Sequence, residues 1–229
     1  MASFNDNAPL LLRQKWLNLT EGIERDVVES WWNVIEEELS KPSRKYHTFS
    51  HLQSMFCHME SVSNEIDDKR AVSYAIFFHD LVYDPQKQDN EEQSIELFRK
   101  FAQESGLGED TDLMNKVIEM IAASQAHCTE VHKEEGSYGN DDVHYFLDFD
   151  MSILGSEPKE YEKYAAQISE EYSFLPSFKY DFLRSKVLKL FLQIPNIYAT
   201  RLFREKYERQ ARENLQNEID RLSSKATAV

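Results

Sequence analysis

Residues 76–84 read IFFHDLVYD. An apolar run leads directly into His79-Asp80, so an imidazole and a carboxylate arrive together at the end of a buried stretch. On one helix, adjacent positions point about 100° apart. The two can still converge on a single ion if the backbone sets the ion between their directions, and a neutral imidazole with a carboxylate suits a divalent transition metal. The spacing of Ala71, Val72, Ala75, Phe78 and Val82 predicts a helix over 69–83 with these residues inward.

Working outward, RKYHTFSH (44–51) opens a second helical stripe, with His51, Met55, His58 and Val62 on one face. Two histidines on that stripe, with Tyr46 and His47 just before it, point to a site as much as to core packing. Downstream, DPQKQDNEEQS reads as a loop and a helix start. Asp89 or Asn90 is a candidate cap, and Glu91 and Glu92 lie where acids complement the positive helix end; capping and function are equally good readings of Glu91. A helix over 111–126 leads to His127, and 128–140 reads as a charged loop with His132 solvated. In FLDFDMSILG (146–155), Asp148 and Asp150 stand among large apolar residues. An isolated buried carboxylate costs several kcal/mol or takes up a proton, so these acids need a partner, and a cation is a natural one.

The rest of the chain is helical in pattern: 10–19, 24–40, about 90–105, 158–172, 177–193 and 197–222. With only 6 glycines and 6 prolines in 229 residues, a turn-rich β fold is disfavoured. The expectation is one all-α domain over 10–222 with about nine or ten helices, a flexible start at 1–9 and a disordered tail at 223–229. Trp31 and Trp32 read as core and rim packing, and the mixed Arg/Glu run of the last helix reads as a solvated face. A net charge of −15 argues against a nucleic-acid polymer as partner. It leaves room for a small phosphorylated substrate, because a bound cation reverses the sign of its own pocket. No apolar stretch is long enough to span a membrane. Cys57 and Cys128 read as reduced thiols, and the absence of a signal-like N-terminus predicts a cytoplasmic protein.

The ordered series His51, His79-Asp80, Asp148 or Asp150 resembles the HD superfamily of metal-dependent phosphohydrolases. The phrases RKYHTFSH, AIFFHDLVYD, NEEQS, FLDFDMSILG, IYAT and ARENLQNEI resemble its predicted-phosphohydrolase subfamily over about residues 10–220. The resemblance implies a helical bundle of the HD-domain type and a divalent metal, whether Mn, Mg, Fe, Co, Ni or Zn. It implies His51, His79 and Asp80 as ligands, with Asp150 fitting the last position slightly better than Asp148; the acid not used would support the site from behind. Asp80 and Glu91 are the expected catalytic carboxylates. Tyr46, His47 and His127 are expected to contact substrate, with His127 also a candidate for a second ion. Lys87, Arg184 and Lys186 are candidate counter-charges for phosphate. The implied activity is hydrolysis of a phosphoester of a small molecule such as a nucleotide; the alternative is a non-catalytic module of the same type that binds metal or nucleotide and regulates a partner.

Overall fold

A computed structural model describes residues 7–227, and all the regular structure among them is helical. The chain divides into two compact units, Met1–Ala126 and His127–Val229.

The first unit holds α1 (Ala8–Leu19), α2 (Arg25–Leu39), α3 (Phe49–Ser61), α4 (Lys69–Phe78), α5 (Asn90–Glu104) and α6 (Thr111–Ser124). α4 is its centre and packs on α3, α5 and α6, because apolar residues cover it almost all round: Ala71, Val72 and Tyr74 through Phe78 are buried. Trp16, Trp31, Tyr74, Phe77, Phe78, Phe98 and Phe101 meet in one aromatic core. Each such ring contributes about 1.5–3 kcal/mol on leaving water. The polar edges are satisfied: Trp16 Nε1 donates to the Val28 carbonyl at 3.0 Å and Trp31 Nε1 to Glu104 at 2.7 Å. Asp68 caps α4 by accepting from the Ala71 amide, and Asp110 caps α6 by accepting from Leu113. α5 ends at Gly106, whose φ of +75° is a left-handed conformation natural to glycine.

The second unit holds α7 (Glu130–Lys133), α8 (Asp142–Met151) with a 3₁₀ extension Ser152–Gly155, α9 (Pro158–Glu171), α10 (Ser177–Gln193) and α11 (Arg201–Thr227). α8 is buried from His144 to Met151, which explains its lack of a polar stripe. Its 3₁₀ extension packs on α11. Gly155 is required there, because a Cβ would lie 2.7 Å from the Tyr207 carbonyl.

Several boundaries differ from expectation. α1 starts at Ala8, with Pro9 in its first turn, so only residues 1–6 of the supposed flexible start lie outside the described residues. α4 stops at Phe78 rather than 83. α11 begins at Arg201, after an irregular segment 196–200, and its backbone stays helical to Thr227; residues 228–229 of the expected tail lie outside the described residues. The loop expected at 128–140 contains α7. There His132 is buried, its Nδ1 accepting from the Thr129 amide at 2.9 Å; burial pushes its pKa down to about 4.

The charges of α11 are also not a simple solvated face. Arg212 donates to the carbonyls of Leu192, Ile194 and Pro195, Arg204 to those of Tyr198 and Ala199, and Glu208 accepts from the amides of Ile197 and Tyr198. The helix thereby supplies hydrogen bonds that the end of α10 and the irregular backbone after it cannot make with themselves. Further along, buried Glu218 accepts from Tyr161 at 2.5 Å and from Arg184 at 3.0 Å. Arg184, a candidate phosphate counter-charge by sequence, is therefore engaged inside its own unit.

Candidate metal centre

In the first unit, α4 unwinds at the HD pair. The Leu81 amide turns to the Phe78 carbonyl at 3.1 Å, one residue short of the α-helical partner. His79 keeps helical backbone angles and its amide still bonds the Ala75 carbonyl at 2.9 Å, so the tightened turn begins after it, and there the Asp80 side chain meets that of His79. His79 Nε2 lies 3.2 Å from Asp80 Oδ2. α3 brings His51 from its first turn, with Nε2 3.4 Å from His79 Nε2 and 3.9 Å from Asp80 Oδ2. His47, in the turn before α3, places its Nε2 3.9 Å from the same Asp80 oxygen. Four of the predicted residues therefore surround one point, and His47 belongs to the group rather than standing apart from it.

The protonation of His79 follows from its surroundings. Its Nδ1 lies 3.1 Å from the Ile76 carbonyl, which can only accept, so Nδ1 carries the proton and Nε2 presents a lone pair. That is the second contact metal-binding histidines ordinarily make. Two nitrogens each about 2.1 Å from one ion at a tetrahedral angle lie about 3.4 Å apart, the separation seen between His51 and His79. Two imidazole nitrogens at this distance share either a proton or a cation, and the carboxylate oxygen beside them suits a cation.

The surrounding shell is aromatic and basic. Tyr46 packs on both His47 and His51, with ring centroids 5.1 and 4.9 Å away. Tyr83 stacks on His47 at 4.1 Å. Arg44, its side chain fully buried, donates to the carbonyls of His47 at 3.2 Å, Asp80 at 2.7 Å and Leu81 at 2.8 Å. It ties the turn that carries His47 to the turn that carries Asp80. Arg44 and Tyr83 escaped the sequence reading. Both sit inside the phrases quoted for the site, but arginine is ordinarily a surface residue, and nothing in one dimension marks this one as buried.

The other predicted residues of this unit are placed differently. Asn90 pins the loop after the HD turn, exchanging hydrogen bonds with the Asp84 backbone at 2.9 and 3.1 Å. Glu91 occupies the first turn of α5, and its side chain makes no hydrogen bond or ion pair with the described residues.

In the second unit, α8 presents Asp148 and Asp150 to different surroundings. Asp148 is fully buried and accepts from the Ala199 amide at 2.7 Å, the Thr200 amide at 2.8 Å and the Thr200 hydroxyl at 2.6 Å. It anchors the chain just before α11. Burial pushes its pKa up to about 7, against these donors and Arg204, which favour the charged form. Asp150 instead pairs with His127, Oδ2 to Nε2 at 3.0 Å. His127 has φ +49° and is the one non-glycine residue with positive φ among those described. A non-glycine residue in the left-handed region stays there only where its surroundings hold it, and the pairing with Asp150 is such a contact. Asp148 thus stabilises the fold locally, and Asp150 carries the acid whose neighbour is a second imidazole.

Comparison with family models, with characterised proteins and with solved structures finds no match to this chain.

Proposed function

We propose that this protein is a divalent-metal-dependent phosphohydrolase acting on a phosphoester of a small molecule, with nucleotides the substrate class suggested by its resemblance to HD phosphohydrolases. The observation that carries the reading is the meeting of His47, His51 and His79 nitrogens within 3.9 Å of one oxygen of Asp80. Two imidazoles and a carboxylate, with the His47 imidazole beside them, form a donor set suited to Mn, Fe, Co, Ni or Zn, and less to Mg, which prefers oxygen. His51, His79 and Asp80 would hold the ion, with Asp150 the further ligand that the resemblance implies. A divalent ion supplies Lewis acidity, lowering the pKa of a bound water and offsetting phosphoryl charge.

The chain's own residues account for the remaining tasks. The Ile76 carbonyl keeps the His79 proton on Nδ1, so Nε2 stays a donor of electrons. Asp80 keeps a carboxylate oxygen beside three imidazoles, where it can orient a water and accept its proton. Tyr46, His47 and Tyr83 form an aromatic wall able to take the flat face of a base or the hydroxyls of a sugar. Glu91 is retained as a proton relay and His127 as a contact to substrate. No helix among the described residues is long and apolar enough to cross a membrane.

The test is a panel of nucleotides and simple phosphoesters screened with each metal, before and after chelation. Release of phosphate that needs the metal and disappears in His79→Ala, with helical content intact, supports the proposal. Metal-dependent stabilisation with no turnover of any phosphoester would replace it with the non-catalytic module.

A further inference from the structure

α10 presents an unusual surface. Of its 17 residues only Tyr180 and Leu188 are buried. Phe178 is 76% exposed, Phe182 69% and Leu190 54%, and Leu183 and Val187 are also open to solvent. Single exposed apolar residues need no explanation, but a contiguous set of this size marks a binding surface. The stripe from Phe178 to Leu190 runs about 18 Å along the helix. It borders a cleft of about 1200 Å³, whose walls include Tyr172, Phe178, Phe182 and Leu190, with Lys186 and Lys189 at its edge.

The charge here is opposite to that of the molecule. α10 carries Lys179, Arg184, Lys186 and Lys189 against the single acid Asp181, in a chain of net charge −15. Arg184 is engaged by Glu218, which leaves the three lysines among the exposed apolar side chains. On a helical projection Lys179 and Lys186 fall between Phe182 and Leu190, inside the apolar arc. That pattern disfavours a second α10 as occupant, since like charges would face each other at the centre. A lipid surface is disfavoured by the concave cleft, which a flat bilayer does not fill, and by the acidity of the rest of the chain.

We propose that the α10 cleft docks an acidic amphipathic segment of a partner protein, whose apolar side chains pack against Phe178, Phe182 and Leu190 while its carboxylates meet Lys186 and Lys189. This is a helix-in-groove mode in which apolar anchors give affinity and charge selects the partner. It is independent of the metal centre.

The experiment pans a display library of random 16-residue peptides against the full chain and against a Lys186→Glu/Lys189→Glu variant. The substituted side chains are exposed, so thermal melting and circular dichroism should match the parent. The parent should enrich peptides combining Asp or Glu with large apolar residues at helical spacing. Their affinity, read by fluorescence anisotropy, should fall at least tenfold in the charge-reversed variant and in Phe182→Ser, and the charge-reversed variant should select basic peptides instead. Four results would each overturn the proposal. They are enrichment of neutral or basic peptides on the parent; acidic binders indifferent to the α10 substitutions; α10-dependent binding to phosphatidylserine vesicles with no peptide enriched; and an α10-dependent dimer that excludes the peptides.

Discussion

His51 Nε2 and His79 Nε2 face each other at 3.4 Å, on side chains almost fully removed from solvent. Neither can exchange this neighbour for water, so whatever occupies the space between them contributes directly to the stability of the first unit. Adding Mn, Fe, Co, Ni or Zn to chelated protein should raise its unfolding free energy by about 2.7 kcal/mol at a hundredfold excess over Kd. His79→Ala should abolish that increment and reduce metal-dependent activity on the order of a hundredfold or more. Calorimetry of both proteins with and without metal checks this, and an equal increment in the variant would remove His79 from the site.

Arg44 should behave as a positioning residue. Its buried guanidinium bonds to the carbonyls of His47, Asp80 and Leu81, each of which Arg44→Met would leave without that donor. The expected cost is on the order of 2–4 kcal/mol, with metal affinity lowered roughly 10–100-fold. Arg44→Lys, which keeps the charge but not the planar fork, should fall between the two. Metal titration at a temperature where all three proteins are folded separates loss of binding from loss of fold. Unchanged affinity in Arg44→Met would show that the two turns hold their spacing without it.

Asp148 and Asp150 should divide cleanly on substitution. Asp148→Asn sets an amide among three donors and should destabilise by about 2–4 kcal/mol. Asp150→Asn should cost less stability and, on the proposed reading, most of the metal-dependent activity. Denaturant melts paired with phosphate-release assays distinguish them; the reverse pattern would exchange the two roles.

The buried imidazole of His132 predicts an acid dependence of stability. Its folded pKa is pushed down to about 4, against about 6.5 in an unfolded chain. Between these values the unfolded state binds the extra proton, so stability is complete above pH 6.5 and is lost progressively as the pH falls toward 4. The groups acting on it besides burial are His144, Arg204, His127 and Lys133, all of which oppose its charging. The loss should approach about 3 kcal/mol. His132→Gln, which keeps an acceptor for the Thr129 amide, should flatten the curve across that window. An unaltered slope in urea melts from pH 4 to 7 would assign the dependence to other groups.

Much of this molecule is legible in one dimension. The helical periodicities are local and sum over many residues, so most of the α-helices appear in the sequence to within a few positions; of the stripe expected for α4, Ala71, Val72, Ala75 and Phe78 are buried in it, while Val82 lies beyond its end and is half-buried. The acids of α8 are visible as anomalies because polar residues in apolar runs demand partners. What the sequence could not show was which partner each would find. Asp148 meets amides some fifty residues away, whereas Asp150, two positions on, meets His127.

The residue types and their order determined by themselves that this chain is helical and marked His51, His79 and Asp80 as candidates for one site. Tertiary structure alone decided that His47 joins them, that Arg44 clamps the two turns together, and that α4 ends one residue before the HD pair. Helix formation follows local propensity and periodicity, which sequence records. Convergence of side chains depends on where distant segments pack and on how the backbone leaves its helix, and a linear pattern carries neither.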